Sequence, residues 1–257
     1  MIFDTAVGPL RINMQTRTAL FRAVAERFTR GEGFTLATLN LDHLTKLPRD
    51  TVFAEAYDAQ DFIIADGRPV VWLSRLAGDE VELMPGSDLV LPLCAEAARA
   101  QVSVALLGSS DPALKAAAEV LEARVPELRI VHHHAPAFGF DPAGPDADAA
   151  LRALAESGAG LCFLALGAPK QEVLAARGRA LAPHVGFASI GAGLDFLAGH
   201  QNRAPRWMRD LALEWLWRAL QSPRRLVPRY ARCFAILPGL VVRALRQRRH
   251  TQVSDIR

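Results

Sequence analysis

Several scarcities frame this 257-residue chain. Cysteine is rare: Cys94, Cys162 and Cys233 each sit in an apolar run, with no Cys-x-x-Cys or Cys/His ligand spacing. That excludes a disulfide scaffold or a structural zinc site and leaves buried thiols of a reducing compartment. Lysine is nearly missing, with Lys46, Lys115 and Lys170 against 27 arginines. No stretch approaches the ~18–20 consecutive apolar residues that cross a bilayer. The longest candidate, CFAILPGLVV at 233–242, is interrupted by Pro238 and Gly239. The N-terminal MIFDTAVGPLRINMQ has no basic segment leading into an apolar one, so no signal peptide is expected. Neither a GxGxxG fingerprint nor the GK[ST] of a Walker A loop occurs, which weighs against a nucleotide-dependent oxidoreductase and against P-loop chemistry. Internal repeats and low-complexity tracts are missing too.

Apolar residues make up 51% and charged residues 22%, enough for a sizeable core and against general disorder. The formal charge of +3 hides an asymmetry. Residues 201–257 hold 13 arginines against Asp210, Glu214 and Asp255, a net of +10, while residues 1–200 carry −7. A basic C-terminal arm on an acidic body implies a polyanionic partner: phosphate, anionic lipid or nucleic acid.

Short apolar runs alternate with helical patterns. FTLATLN (34–40), DFIIADG (61–67), VSVALLG (102–108), RIVHHH (129–134), LCFLALG (161–167) and VGFASIG (185–191) read as strands, with a further short one at 81–84. Helical material lies between: 42–58, 69–77, a segment capped by Ser87 to about 101, and 111–124 opened by Asp111-Pro112. Another helix ends near Ser157 and another starts at Pro169. This alternation predicts an α/β fold, a Rossmann-like, mostly parallel sheet covered by helices. After about residue 200 the strand signal stops, and 205–220 and 223–249 look helical. The expected organisation is an α/β body over 1–200, in halves 1–100 and 101–200, and a helical appendage over 201–257.

In open parallel α/β sheets ligands bind beyond the carboxyl ends of the strands, so strand-end turns come first. Asp66 ends the strand FIIA; it reads as a general base or as an Asp-Gly turn aspartate. Thr38 and Asn40, two apart, project to one face of their strand, toward a polar ligand or as strand-end caps. In GAPKQE (167–172), backbone N–H groups can receive an anion, Lys170 adds charge, and Gln171 can hydrogen-bond a sugar or base. Gly108, Gly191 and Gly193 are loose phosphate-loop candidates, and Asp195 can bind ribose hydroxyls or cap a helix. His132, His133 and His134 alternate faces as strand neighbours, so they cannot converge on one metal ion. On the arm, Arg203, Arg206, Arg218, Arg224, Arg225 and Arg229 are candidate phosphate ligands. Trp207, Trp215 and Trp217 suit core packing or a lipid interface, and LVVRALRQRR sets basic residues beside an apolar patch. A non-enzymatic RNA- or membrane-surface binder is the rival that these arginines raise.

Nine motifs follow one another: TLN (38–40), ADG (65–67), PGSDL (85–89), LLG (106–108), LGAPKQE (166–172), IGAGLDFLAG (190–199), RAP (203–205), LEWLWR (213–218) and SPRRLVPRY (222–230). In this order they resemble the WecG/TagA/CpsF family of bacterial glycosyltransferases. The resemblance implies an inverting enzyme with no metal and no cofactor. It would move a sugar from a UDP-sugar to a saccharide on polyprenyl diphosphate, in cell-surface or exopolysaccharide synthesis. It makes Asp66 the catalytic base, with Thr38 and Asn40 in the polar pocket beside it. It also matches Gln171 to the glutamine of the family's PKQE loop and places Asp195 in the Gly-rich segment that holds the nucleotide. A C-terminal appendage completes the site at an anionic membrane surface, so the expected location is cytoplasmic, peripheral on the inner face. Nucleic acid is not an expected partner, and a homo-oligomer is left open. One departure concerns an arginine that the family often has before PG(S/T)D. Here the stretch is Glu82-Leu83-Met84-Pro85, so an acceptor or phosphate contact is either missing or supplied by Arg68 or Arg75.

Overall fold

A computed structural model describes residues 1–199, 204–205, 208 and 213–254, with the backbone alone at 218, 225 and 250–254. The first residues make an antiparallel hairpin, β1 (Ile2–Asp4) with β2 (Pro9–Arg11), too short to show a pattern in sequence. The six longer apolar runs become one sheet: β3 (Thr35–Leu39), β4 (Phe62–Ala65), β5 (Ser103–Gly108), β6 (Ile130–His134), β7 (Ala159–Ala165) and β8 (Gly186–Ser189). Its order is β4-β3-β8-β7-β5-β6, and every pairing is parallel.

Parallel neighbours need long crossovers, which helices supply. They are α1 (Arg17–Arg30), α2 (Leu41–Lys46), α3 (Thr51–Asp58), α4 (Arg68–Leu76), α5 (Gly86–Arg99), α6 (Asp111–Arg124), α7 (Pro145–Glu156), α8 (Lys170–Leu181) and α9 (Gly193–Leu197). The C-terminal region adds α10 (Glu214–Gln221) and α11 (Pro223–Ser254). The expected α/β architecture, with a parallel helix-covered sheet and a helical C-terminus, is the one observed. The three cysteines are buried free thiols, also as expected.

Local chemistry sets the boundaries. Thr16 caps α1 by accepting from Ala19 N at 3.2 Å. The 42–58 segment splits because Asn40 caps α2 and Asp50 caps α3, accepting from His43 N at 3.1 Å and Phe53 N at 2.9 Å. Three sequence expectations need correction. Residues 81–84 form no strand, because Glu82 N and Met84 N each reach one carbonyl on a different segment, Gln15 O and Ala65 O. Ser87 lies inside the first turn of α5, whose N-cap is Pro85. Ser110 rather than Asp111 is the N-cap of α6, so Pro112 sits one position later than expected.

Alternation along the strands sends side chains into two layers. On one face Leu36, Phe62 and Ile64 pack with Leu20, Val24 and Phe28 of α1 and with Leu89, Val90 and Leu93 of α5. On the other, Leu39, Ile63 and Ala65 meet Phe53, Tyr57 and Val70. Helices α7 and α8 extend this second layer through Leu151, Leu154 and Leu174. Helix α11 lies over it: Ala244 is fully buried, and Ile236, Leu237 and Leu240 pack against the cluster. Polar contacts fix the helix in place. Gln247 exchanges two hydrogen bonds of 2.8 Å with the Ile2 backbone, Arg243 pairs with Asp4, and Arg229 Nε lies 2.9 Å from Asp42 Oδ1.

Candidate active site

With every strand parallel, the strand exits share one edge of the sheet: Asn40 after β3, Asp66 after β4, Gly108 at the end of β5, Gly167 after β7 and Gly191 after β8. The chain leaves β5 toward β6 on one side and leaves β7 toward β8 on the other. That reversal opens a crevice between β5 and β7, where ligands sit in such sheets. Gly108 lines it with φ at 117°, and a Cβ there would lie 2.5 Å from the Ala165 carbonyl. Only glycine fits both constraints. Next to it, Ser109 N donates to Ala165 O at 3.0 Å, and Ser109 Oγ donates to the Asp195 carboxylate. Asp195 on α9 is therefore tied to the β5 turn. Ser109, which the sequence did not single out for a role, makes that tie.

The start of α5 enters the same edge. A Cβ on Gly86 would meet Ile190 Cα at 3.1 Å and Thr38 Cγ2 at 3.2 Å. Thr38, only 3% exposed, is thus packed between α5 and the β8 exit. Gly193 touches α5 as well: a Cβ there would lie 3.2 Å from Val90 Cγ2. The sequence motifs at 38–40, 85–89 and 190–199 are in mutual contact. Asp66 stands half-buried beside them, its backbone N–H donating to Leu39 O at 2.8 Å.

Gln171 is placed inside rather than on the surface, at 2% exposure. Its Oε1 accepts from Gly167 N at 3.2 Å and from Gly191 N at 3.1 Å, so one side chain ties the β7 and β8 turns together. Its Nε2 donates to Glu172 Oε1 at 2.8 Å. Lys170 Nζ donates to Phe140 O at 2.7 Å and anchors the loop that follows β6.

Beneath the edge lies a buried polar group with little signature in the linear pattern. Burial pushes the Glu172 carboxyl up to about 7, against the pull of its Gln171 hydrogen bond. Burial lowers His43 to about 3, so its ring is neutral. His43 Nδ1 lies 2.7 Å from Tyr57 Oη, and Nε2 lies 3.2 Å from Asn40 Nδ2. Burial, with the charges of Glu172 and Asp66, raises Tyr57 well above its ordinary value. The only available signal was polar residues on otherwise apolar helix faces.

Leu83 packs partly buried against the second core layer. Arg68 opens α4 directly after Asp66-Gly67, whereas Arg75 lies about 10 Å further along that helix. Of the arm residues, Arg203, Arg206 and Trp207 lie outside the described residues, and Arg218 and Arg225 are described in backbone only. Arg224 is exposed in the first turn of α11. Arg229 pairs with Asp42, and Trp215 stands edge-on to Tyr230 and Phe234 at 5.8 and 5.1 Å. The chain has one Asp-x-Asp triplet, Asp146-Ala147-Asp148, in the first turn of α7, where Asp148 pairs with Arg177 at 2.5 Å. Among the described residues no three His, Cys, Asp or Glu side chains gather as a metal site.

Residues 5–254 match the glycosyl transferase WecG/TagA/CpsF family. The chain is also similar to the N-acetylglucosaminyldiphosphoundecaprenol N-acetyl-beta-D-mannosaminyltransferase of Bacillus subtilis (strain 168), at 26% identity over 205 residues. That alignment covers 77% of this chain and 78% of the relative. With nearly the whole length matched, from the hairpin to α11, the chain belongs to the WecG/TagA/CpsF family and is a glycosyltransferase.

Proposed function

We propose that this glycosyltransferase moves a sugar from a UDP-sugar to a saccharide carried on polyprenyl diphosphate, inverting the anomeric centre in one displacement. One observation carries the reading: a carboxylate, Asp66, and the glycine turns at 108, 167 and 191 share one edge of the sheet. With strands about 4.8 Å apart, the β4 exit and the β5–β7 crevice are separated by roughly 15–20 Å. An extended ligand with a nucleoside at one end and a reacting sugar at the other suits that span.

In this mechanism Asp66 takes the proton of the acceptor hydroxyl, whose oxygen bonds to the anomeric carbon. The bond from that carbon to the diphosphate oxygen breaks, and UDP leaves with the electron pair. Thr38 and Asn40 shape the acceptor side. Gly108, Gly191, Gly193 and Asp195 hold the nucleotide, on turns that Gln171 ties together. Lys170, Arg203, Arg218, Arg224 and Arg225 are the cations assigned to the departing charge, with no metal or cofactor required. Arg68, next to Asp66, takes the part of the arginine that Leu83 replaces.

The outer side of α11 supports attachment to the inner face of a membrane. Val227, Phe234, Val241, Val242 and Leu245 are 37–53% exposed and fall on one helical face, turned roughly 120° from the face that packs on the body, with Phe234 also edge-on to Trp215. Exposed Arg224, Arg246, Arg248 and Arg249 flank that face. Each basic residue near an anionic surface contributes roughly 1 kcal/mol. An apolar face between arginines favours lipid over nucleic acid as the arm's polyanion. No described helix is long and apolar enough to cross a membrane.

The relative's name makes N-acetylmannosamine the first donor sugar to test and N-acetylglucosaminyl-diphosphate lipid the first acceptor. The experiment offers the full chain a panel of UDP-sugars with a short-chain polyprenyl-diphosphate-N-acetylglucosamine and reads products by mass. One donor should add a single sugar with release of UDP. Absence of transfer from every UDP-sugar rejects the proposal.

A further inference from the structure

We propose that His43 is a positioning residue: it locks the Asn40 carboxamide so that Asn40 offers a hydrogen-bond donor to an acceptor oxygen of the substrate. The inference rests on the reading of Asn40 as a pocket residue given above. His43 grips both ends of that amide. Its backbone N–H donates to Asn40 Oδ1 at 3.1 Å, and its ring Nε2 lies 3.2 Å from Asn40 Nδ2. Turning the amide over would set its hydrogens against the His43 backbone N–H, whichever tautomer the ring adopts, so Nδ2 is held toward the ring. The orientation is therefore fixed, and Nε2 is the acceptor.

The tautomer follows. A neutral ring has one N–H, so the proton sits on Nδ1, from which it is donated to Tyr57 Oη at 2.7 Å. The ring is 3% exposed, and burial keeps it uncharged across the working pH range. Phe53 and Tyr57 stand edge-on to it at 5.5 and 5.8 Å and hold its plane. Asn40 itself is half-buried at the β3 exit and retains its second amide hydrogen. A sugar hydroxyl oxygen or an acetamido carbonyl is the chemical class that takes such a donor.

Long-range proton–nitrogen correlation on the full, nitrogen-15-labelled chain reports the tautomer of each of its seven histidines. The His43 signals are those lost in His43→Gln. A protonated Nδ1 with a bare Nε2 is expected; a protonated Nε2 overturns the lock. Asn40→Asp places a carboxylate oxygen opposite Nε2 and should draw the proton there, with the Tyr57 hydroxyl reversing to donate to Nδ1. An unchanged tautomer in that variant also overturns it. In transfer assays kcat/KM for the lipid-linked acceptor should fall about tenfold or more in His43→Leu and recover to within about threefold of the parent in His43→Gln, which keeps an acceptor atom in reach. Equal losses in the two variants overturn the positioning role. The nitrogen spectra of the unaltered chain need neither turnover nor a foldable leucine variant. They decide the lock even if no UDP-sugar is transferred and the proposed function fails.

Discussion

Replacing Glu172 with glutamine should change stability in a pH-dependent way whose window follows from the structure. The carboxyl is fully buried, with one oxygen bonded to Gln171 at 2.8 Å and the other without a partner. Burial raises it from 4.5 in the unfolded chain to about 7 in the folded one. Between those values the native state holds a proton that the unfolded chain has lost. The parent protein therefore loses stability as pH rises through this window, with no penalty below it and the full penalty above about pH 7. At 1.36 kcal/mol per pKa unit the penalty is about 3 kcal/mol. Glutamine keeps the shape and an acceptor oxygen for Gln171 but cannot ionise. Urea unfolding from about pH 4 to about pH 8.5 measures the difference between variant and parent. That difference should be flat in acid, climb by about 1.4 kcal/mol per pH unit, and level off about 3 kcal/mol higher. A constant difference across the range refutes the argument. His43 acts in the opposite sense, since its value is lowered from 6.5 to about 3 and the unfolded chain binds the proton first. Its stability contribution is present above pH 6.5 and is lost as pH falls toward 3. The two slopes oppose each other where the windows overlap, so the parent curve is flattened and Glu172→Gln unmasks the histidine.

Three other outcomes are expected. Asp66→Asn should keep UDP affinity within about twofold by calorimetry while transfer falls about a hundred- to ten-thousand-fold; near-normal turnover removes Asp66 from its role. Gly108→Ala forces a Cβ to 2.5 Å from the Ala165 carbonyl at a φ of 117°. Thermal unfolding should register a loss of about 2–4 kcal/mol, and an unchanged midpoint would contradict the close approach. Val242→Asp with Leu245→Asp should reduce sedimentation with anionic vesicles and leave folding intact, since both side chains are exposed and neither belongs to a core cluster; undiminished binding would place the membrane contact elsewhere.

The parallel sheet was legible because most of its strands are buried on both faces and read as unbroken apolar runs, as in FIIA and LCFLA, whereas β6 is a partly exposed edge strand. Residues 81–84 carry a similar apolar signal, but the β4 edge is already occupied. Asn13 takes it, its Oδ1 accepting from Ile63 N at 2.7 Å and its Nδ2 donating to Asp61 O at 2.9 Å. Helix α1 passed unread although Leu20, Val24 and Phe28 recur every fourth residue after a capping Thr16. Asp66 and the glycine turns could be located because strand ends are where such sheets bind. The inward aim of Gln171 depends on the phase of α8 against the sheet, which a linear motif does not carry. His43 and Tyr57 meet only because a helix break at Asp50 folds α3 back beside α2.

The clasp between Gln247 and the backbone of Ile2 fastens α11 to the β1–β2 hairpin. A shortened gene product lacking the final helix would release that fastening and strip the lid from Leu39, Ala65 and their neighbours. Loss of lipid attachment and loss of folding would then arrive together and be indistinguishable. Surface charges introduced on the outward flank separate them, which makes substitution rather than truncation the instrument for asking what this helix does.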